Sequence, residues 1–346
     1  MLNRGLTPAL WLGILIAGGL AAGAPADPAA DAFLRKQVRF TDEEAAAVRA
    51  GEAVAKILDT GDPDEVVVFG VVFVKARPDA FLDMYRDFRK FPKSNAYLDL
   101  KRFSDPPRLA DLAGLHLDDD DLKELQECEP GECVVQLPAA LVDRLRREVN
   151  WDQPDAAATV DRLLRQGLVD LLKNYNLSGN SALGTYWDHK SPVQVAQVLR
   201  TLLDRVELLP AFLPDLHRYL LDYPKAELAN KEEYLYWERV SFGLKPTFRA
   251  NHVIIHRPDN LPRAPGVVAI KQLYASHYFQ TALDMYFCVP VDPAAPTRGM
   301  YLMTLKGSRQ AGLTGFKGGL LRRIVIPKTR SAMADGLAAF KAQLEK

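Results

Sequence analysis

Residues 231–256, KEEYLYWERVSFGLKPTFRANHVIIH, and 266–289, GVVAIKQLYASHYFQTALDMYFCV, carry the reading on which the fold turns. Together with the residues that follow, they give runs rich in β-branched and aromatic side chains at Trp237–Phe242, Asn251–His256, Val267–Tyr274, Ala282–Val289 and Met300–Lys306. Turn-forming segments separate them: RPDNLPRAPG (257–266), VDPAAPTRG (291–299) and GLTGFKGG (312–319). Beyond these, Met333, Leu337, Phe340 and Leu344 recur at helical spacing and predict one helix over Lys328–Leu344. An antiparallel sheet with one amphipathic helix laid on it either fills the space between the two or leaves a cavity. Which of these it does decides the function.

Working toward the N-terminus, Val66–Val74 is apolar at both phases, as a strand buried on both faces would be. Pro78 opens a helix with Phe81, Met84, Tyr85, Phe88 and Phe91 on one side, and Pro92 closes it. The alternation at residues 98–103 predicts a second strand. From about Asp105 to Asn230 the pattern turns helical, with segments at 109–112, 122–125, 139–149, 156–175, 192–206 and 214–221. Upstream, Thr41–Glu44 is a capping box whose helix extends through Val48, Val54, Ile57 and Leu58 to a break at Gly61 and Pro63. Asp27–Lys36 reads as a loose leader.

The first 26 residues have Arg4 as their only charge, an apolar stretch at Ala9–Ala22 and Ala24-Pro25-Ala26. They read as a cleaved secretory signal, placing the mature chain in the periplasm or outside the cell; a retained anchor is the alternative. An oxidising compartment then favours a disulfide between Cys128 and Cys133 in CEPGEC, worth about 2 kcal/mol for so short a loop. Cys288, in an apolar strand, reads as a buried free thiol. Lys and Arg total 44 and Asp and Glu 44, so no basic excess draws nucleic acid. The expected division is a signal at 1–26, a leader and helix at 27–63, and one domain at 64–346 with a helical insertion at 105–230.

The order of strand, helix, strand, helical block, several strands and final helix is the START-like, or helix-grip, layout. EYLYWERVSFGLKPTFRANHVII (233–255), KQLYASHYFQTALDM (271–285), YLMTLKGSRQAGLTGFKGGLLRRIV (301–325) and GNSALGTYWDHKSP (179–192) resemble segments of a family of exported bacterial proteins with a START-like domain. The resemblance implies an α+β fold, and it implies binding of a lipid or other hydrophobic molecule, or less commonly a cyclase or hydrolase reaction.

The candidate site residues are amphipathic. His252 and His256 share one strand face, but about 13 Å separates them along the strand, too far for one metal ion. KQLYASHYF offers Lys271, Tyr274, His277 and Tyr278 beside Trp237, suited to an apolar ligand with one polar end or to a sheet-corner cluster. The 307–319 segment supplies Arg309, with Lys306, Lys317, Arg322 and Arg323 nearby, as an anionic-headgroup clamp or a solvated edge. It lacks the ending of a phosphate loop. Tyr186 and Trp187 stand in a loop rich in costly residues. Asp118–Asp121 reads as a solvated helix cap. No cofactor or metal is expected. The ligand expected is a hydrophobic, lipid-like small molecule, with transient membrane-surface contact. The alternatives are an enzyme using His277 or His252 with a tyrosine, and a ligand-free envelope scaffold.

Overall fold

A computed structural model describes residues 27–93, 96–241, 245–259, 265–310, 313 and 315–346, with side chains 315–318 and 321 left aside. The signal segment expected at residues 1–26 lies outside the described residues. The fold is α+β, built on an eight-stranded sheet in which every neighbouring pair is antiparallel. The strands are β1 (Val54–Leu58), β2 (Glu65–Val74), β3 (Tyr97–Arg102), β6 (Lys231–Val240), β7 (Thr247–His256), β8 (Gly266–Ala275), β9 (Phe279–Pro290) and β10 (Met300–Gln310). Their order across the sheet is β1-β2-β10-β9-β8-β7-β6-β3. Two short strands, β4 (Thr185–Tyr186) and β5 (Val193–Gln194), pair separately.

Helices cover both faces. On the inner face lie α3 (Pro78–Arg86) and α10 (Gly315–Leu344). Phe81, Leu82, Met333, Leu337 and Phe340 pack there on Val68, Val72, Ile255, Val268, Ile270, Tyr286 and Leu302. The outer face carries α1 (Pro28–Lys36), α2 (Asp42–Arg49), α4 (Asp119–Gln126), α5 (Ala139–Glu148), α6 (Ala156–Ser178), α7 (Val195–Arg205), α8 (Leu208–Phe212) and α9 (Pro214–Asp222). Leu164 and Leu172 of α6, Leu199 and Leu202 of α7 and Leu216 of α9 share one core with Phe69, Ile254, Val267, Leu283 and Met285 of the sheet. Because side chains alternate along a strand, each central strand must be apolar at both phases, as β2 is.

α10 runs along β2. Arg322 donates to the carbonyls of Pro63 and Glu65 at one end, and Lys341 donates to that of Phe73 at the other. Gly70 lets the helix approach: a Cβ there would stand 2.7 Å from Leu337 Cδ1 and 2.9 Å from Met333 Cγ.

Three expectations change. The segment 27–36 is a helix rather than a loose leader, because Asp27 Oδ1 accepts from the amides of Ala29 and Ala30 and Leu34 is fully buried. The helix from the Thr41 capping box ends at Arg49, where Gly51 turns the chain at φ +87°. Val54, Ile57 and Leu58 then form β1 against β2, where β-branched side chains are at home. Finally, α10 starts at Gly315, thirteen residues before the expected Lys328, and continues across Pro327. The proline forgoes one backbone bond there, which the helix tolerates.

Candidate functional site

The inner face is divided. Its dry half lies under α3 and the second half of α10. Along the other half runs a row of polar side chains, one or two per strand: Tyr97, Glu238, Arg249 and Asn251, Gln272, Asp284, and Thr304 and Lys306. Period-2 alternation puts all but Tyr97 on the face that holds Tyr236, Val253, Ile270 and Leu302, and Tyr97, set off by a register shift in β3, meets Phe91 on the same side. Arg249 Nη1 is 3.2 Å from Glu238 Oε1, and Arg249 Nε donates to Gln272 Oε1 at 3.2 Å. Asn251 Nδ2 also donates to Glu238, at 3.2 Å. Lys306 Nζ is 3.2 Å from Asp284 and lies 5.3 Å from the centre of the Tyr286 ring.

Burial pushes the Glu238 carboxyl up from its ordinary pKa, against the pull of Arg249. Burial also works against the charge on Lys306, but Asp284, Tyr286 and Tyr97 together outweigh it and raise the pKa, so the amine stays protonated. The Lys306 side chain stays 33% exposed, between Asp284 and the Tyr286 ring. Two buried atoms of the same face, Asn251 Oδ1 and Thr304 Oγ1, have no hydrogen-bond partner among the described residues. Glu238, Arg249 and Asp284 were not singled out from the sequence. Charges recurring at one phase of otherwise apolar strands were the available signal.

Lys306 apart, the residues read from the sequence as a ligand site lie on the opposite face, against the helical block, and not in the space between the sheet and the Met333/Leu337/Phe340/Leu344 helix. The alternation that aims Asn251 inward sends His252 and His256 outward into the block, so neither meets solvent. His252 and Lys271 do come together. Lys271 is completely buried, its amine donating to Asn180 Oδ1 at 2.9 Å and to Leu220 O at 3.3 Å. The rings of Tyr175 and Tyr223 lie about it at 4.9 and 5.1 Å. Burial lowers its pKa to about 7. Burial also lowers that of His252 to about 4, so the imidazole is neutral. With Glu233 Oε2 accepting from Nε2 at 3.0 Å, Nδ1 is left to accept from the Tyr175 hydroxyl at 2.8 Å.

Asn180, Tyr223, Ser178 and Ser181 also line an open cleft of about 700 Å³ above this cluster. Gly179 makes the closure possible. A Cβ there would fall 1.6 Å from Tyr223 O, and its φ is +64°. The GNSALG motif and Lys271, far apart in sequence, thus meet.

The remaining picks are spent on packing. The Trp237 indole donates to Asp111 O at 2.9 Å, the Tyr274 hydroxyl donates to Gln136 O at 2.7 Å, and the Tyr186 hydroxyl accepts from the amide of Ala275. His277 is 3.0 Å from Asp121, which also pairs with Lys245 at 3.0 Å. Asp121 is therefore a buried ion-pair partner rather than part of a solvated cap, and burial, which raises its pKa, is outweighed by His277 and Lys245. The Tyr278 hydroxyl accepts from the amide of Lys245. Arg309 is held by Asp62 at 2.7 Å and Asp64 at 3.3 Å on the outer face, so it is no headgroup clamp. Trp187 is 40% exposed, beside a hairpin closed by the Cys128–Cys133 disulfide. Cys288 is a buried free thiol.

Among the described residues no His, Cys, Asp and Glu group is arranged to hold a metal, and no helix is long and apolar enough to cross a membrane. Comparison with family models, curated proteins and solved structures gives no match for this chain.

Proposed function

We propose that this protein is a START-like, helix-grip binder of a hydrophobic, lipid-like small molecule in the bacterial cell envelope, held against the polar row on the inner face of the sheet. The observation that carries the reading is the presence, on one polar row of the inner face, of two unpartnered buried atoms, Asn251 Oδ1 on β7 and Thr304 Oγ1 on β10, the latter on the same strand as the partly exposed Lys306. Each such orphan costs about 1–3 kcal/mol in a filled core. A ligand with a polar end would satisfy them while its apolar body gains about 0.8 kcal/mol per methylene buried. The element order supports the fold family, and the signal-like N-terminus supports the location. The enzyme alternative has less behind it: His277 is tied to Asp121, and His252 and Tyr175 are both buried and bonded to each other.

The test is native mass spectrometry of protein taken from its own envelope, followed by titration of stripped protein with an environment-sensitive fatty-acid probe. A co-purifying lipid and saturable uptake are expected. Protein that carries nothing and takes up no probe is a scaffold.

A further inference from the structure

The two halves of α10 differ. In the second half the large apolar residues Met333, Leu337 and Phe340 are buried against the sheet. The first half has an apolar face on each side. Val325 and Ile326 are half-buried, while Leu320 and Ile324 are 61% and 50% exposed. At 3.6 residues per turn, Leu320, Ile324 and Pro327 fall within about 60° of one another around the helix. Arg323 and Arg330 border that stripe on one side and Lys328 on the other, and all three are exposed. Arg322 faces inward, where its bonds to Pro63 O and Glu65 O anchor this half of the helix to the start of β2. From residue 293 to residue 334 the chain has no Asp or Glu.

We infer that the outer face of the first half of α10 docks on an anionic lipid surface, with Leu320 and Ile324 entering between headgroups and Arg323, Lys328 and Arg330 pairing with them. An apolar stripe bordered on both sides by cations is the arrangement of a helix lying in a membrane interface. A second copy of the chain is the poorer occupant. Two such faces brought together would oppose two sets of three cations with no acid on either stripe. The inference rests on the lipid-binder reading only for its purpose: the surface would bring the protein to a source of ligand.

The experiment uses full-length mature protein and two vesicle types, phosphatidylcholine alone and an equal mixture of phosphatidylcholine and phosphatidylglycerol. Wild type should sediment with the mixed vesicles and not with the neutral ones, and salt should release it. The triple variant Arg323→Gln, Lys328→Gln, Arg330→Gln should lose roughly a hundredfold in affinity. The double variant Leu320→Ser, Ile324→Ser should also release the vesicles, and both variants should keep the wild-type melting temperature because every altered side chain is exposed. Equal binding to both vesicle types, or binding that survives both variants, overturns the inference. So does a concentration-dependent dimer that the double variant dissociates. Probe uptake measured without vesicles separates the two readings: if wild type takes up no probe yet sediments as described, the docking face stands and the binder reading falls.

Discussion

Lys271 Nζ lies 2.9 Å from Asn180 Oδ1, and this bond joins the middle of the sheet to the first turn beyond the longest helix of the block. The amine also has a carbonyl and two aromatic rings, but among the described residues no carboxylate in contact. Glu233 raises its pKa only as a weaker influence beside burial. Such an amine holds two layers in register at an electrostatic cost.

That cost depends on pH. In the unfolded chain a lysine keeps its proton to about pH 10. Here it keeps it only to about pH 7. Across that window the unfolded chain binds more protons, so this group's contribution to stability rises with pH, and its full penalty stands below about 7. Lys271→Met should therefore stabilise the fold by about 1–3 kcal/mol at pH 6 and by progressively less toward pH 10. Urea midpoints of both proteins across this range measure it. A variant less stable than wild type at pH 6 would show that the amine's hydrogen bonds outweigh its burial.

His252 predicts acid sensitivity. Its pKa falls from 6.5 to about 4 on folding, so the unfolded chain binds more protons between those values and stability drops as pH falls through them. The loss is at most about 3 kcal/mol. Glu233 adds a second loss at lower pH. Burial raises its pKa, but His252, Lys231 and Tyr219 outweigh this and hold it at about 2. His252→Gln, which cannot titrate, should flatten the stability curve between pH 6.5 and 4 and make the fall below it shallower, because His252 is the strongest of the groups that hold the Glu233 pKa down.

The sequence showed the strands well and their faces poorly. Five of the eight were legible as apolar runs in the C-terminal third because Pro, Gly and Asp punctuate them. β1 was lost because Val54, Ile57 and Leu58 also fit a helical period, and only the turn at Gly51 decides between the two. The site was misread for a related reason. Trp237, Tyr274 and His252 stand out as costly residues, but a strand buried on both faces gives no internal sign of which phase meets which layer. The inner row of Glu238, Arg249 and Asp284 hides among apolar neighbours, and its members line up only once the register is known.

Close packing at Gly70 makes the dry half of the inner face intolerant of bulk. Gly70→Ala would put a methyl within 2.9 Å of both Leu337 Cδ1 and Met333 Cγ, and should cost about 1–3 kcal/mol. Leu337→Trp should cost a similar amount, since Leu337 is only 2% exposed. Thermal melts of the two variants check this, with the expected fall in melting temperature for both.

Thr304→Val separates a binding site from a filled core most directly. Valine has the shape of threonine without the hydroxyl, and Thr304 Oγ1 is buried with no partner among the described residues. If that hydroxyl exists to meet a ligand, it is a liability in the empty protein. Removing it should then raise the stability of stripped protein by about 1 kcal/mol. The same change should weaken fatty-acid uptake by about tenfold, the value of one lost hydrogen bond to a buried polar group. The two effects have opposite signs, which a packing change alone does not produce. In a scaffold the hydroxyl would be satisfied by trapped water, so Thr304→Val would strand that water and lower stability, with no uptake to lose. Urea denaturation of stripped protein and probe titration on the same preparations measure both. A destabilised variant that binds probe as wild type does would remove Thr304 from the site and leave the binder reading resting on Asn251 and Lys306 alone.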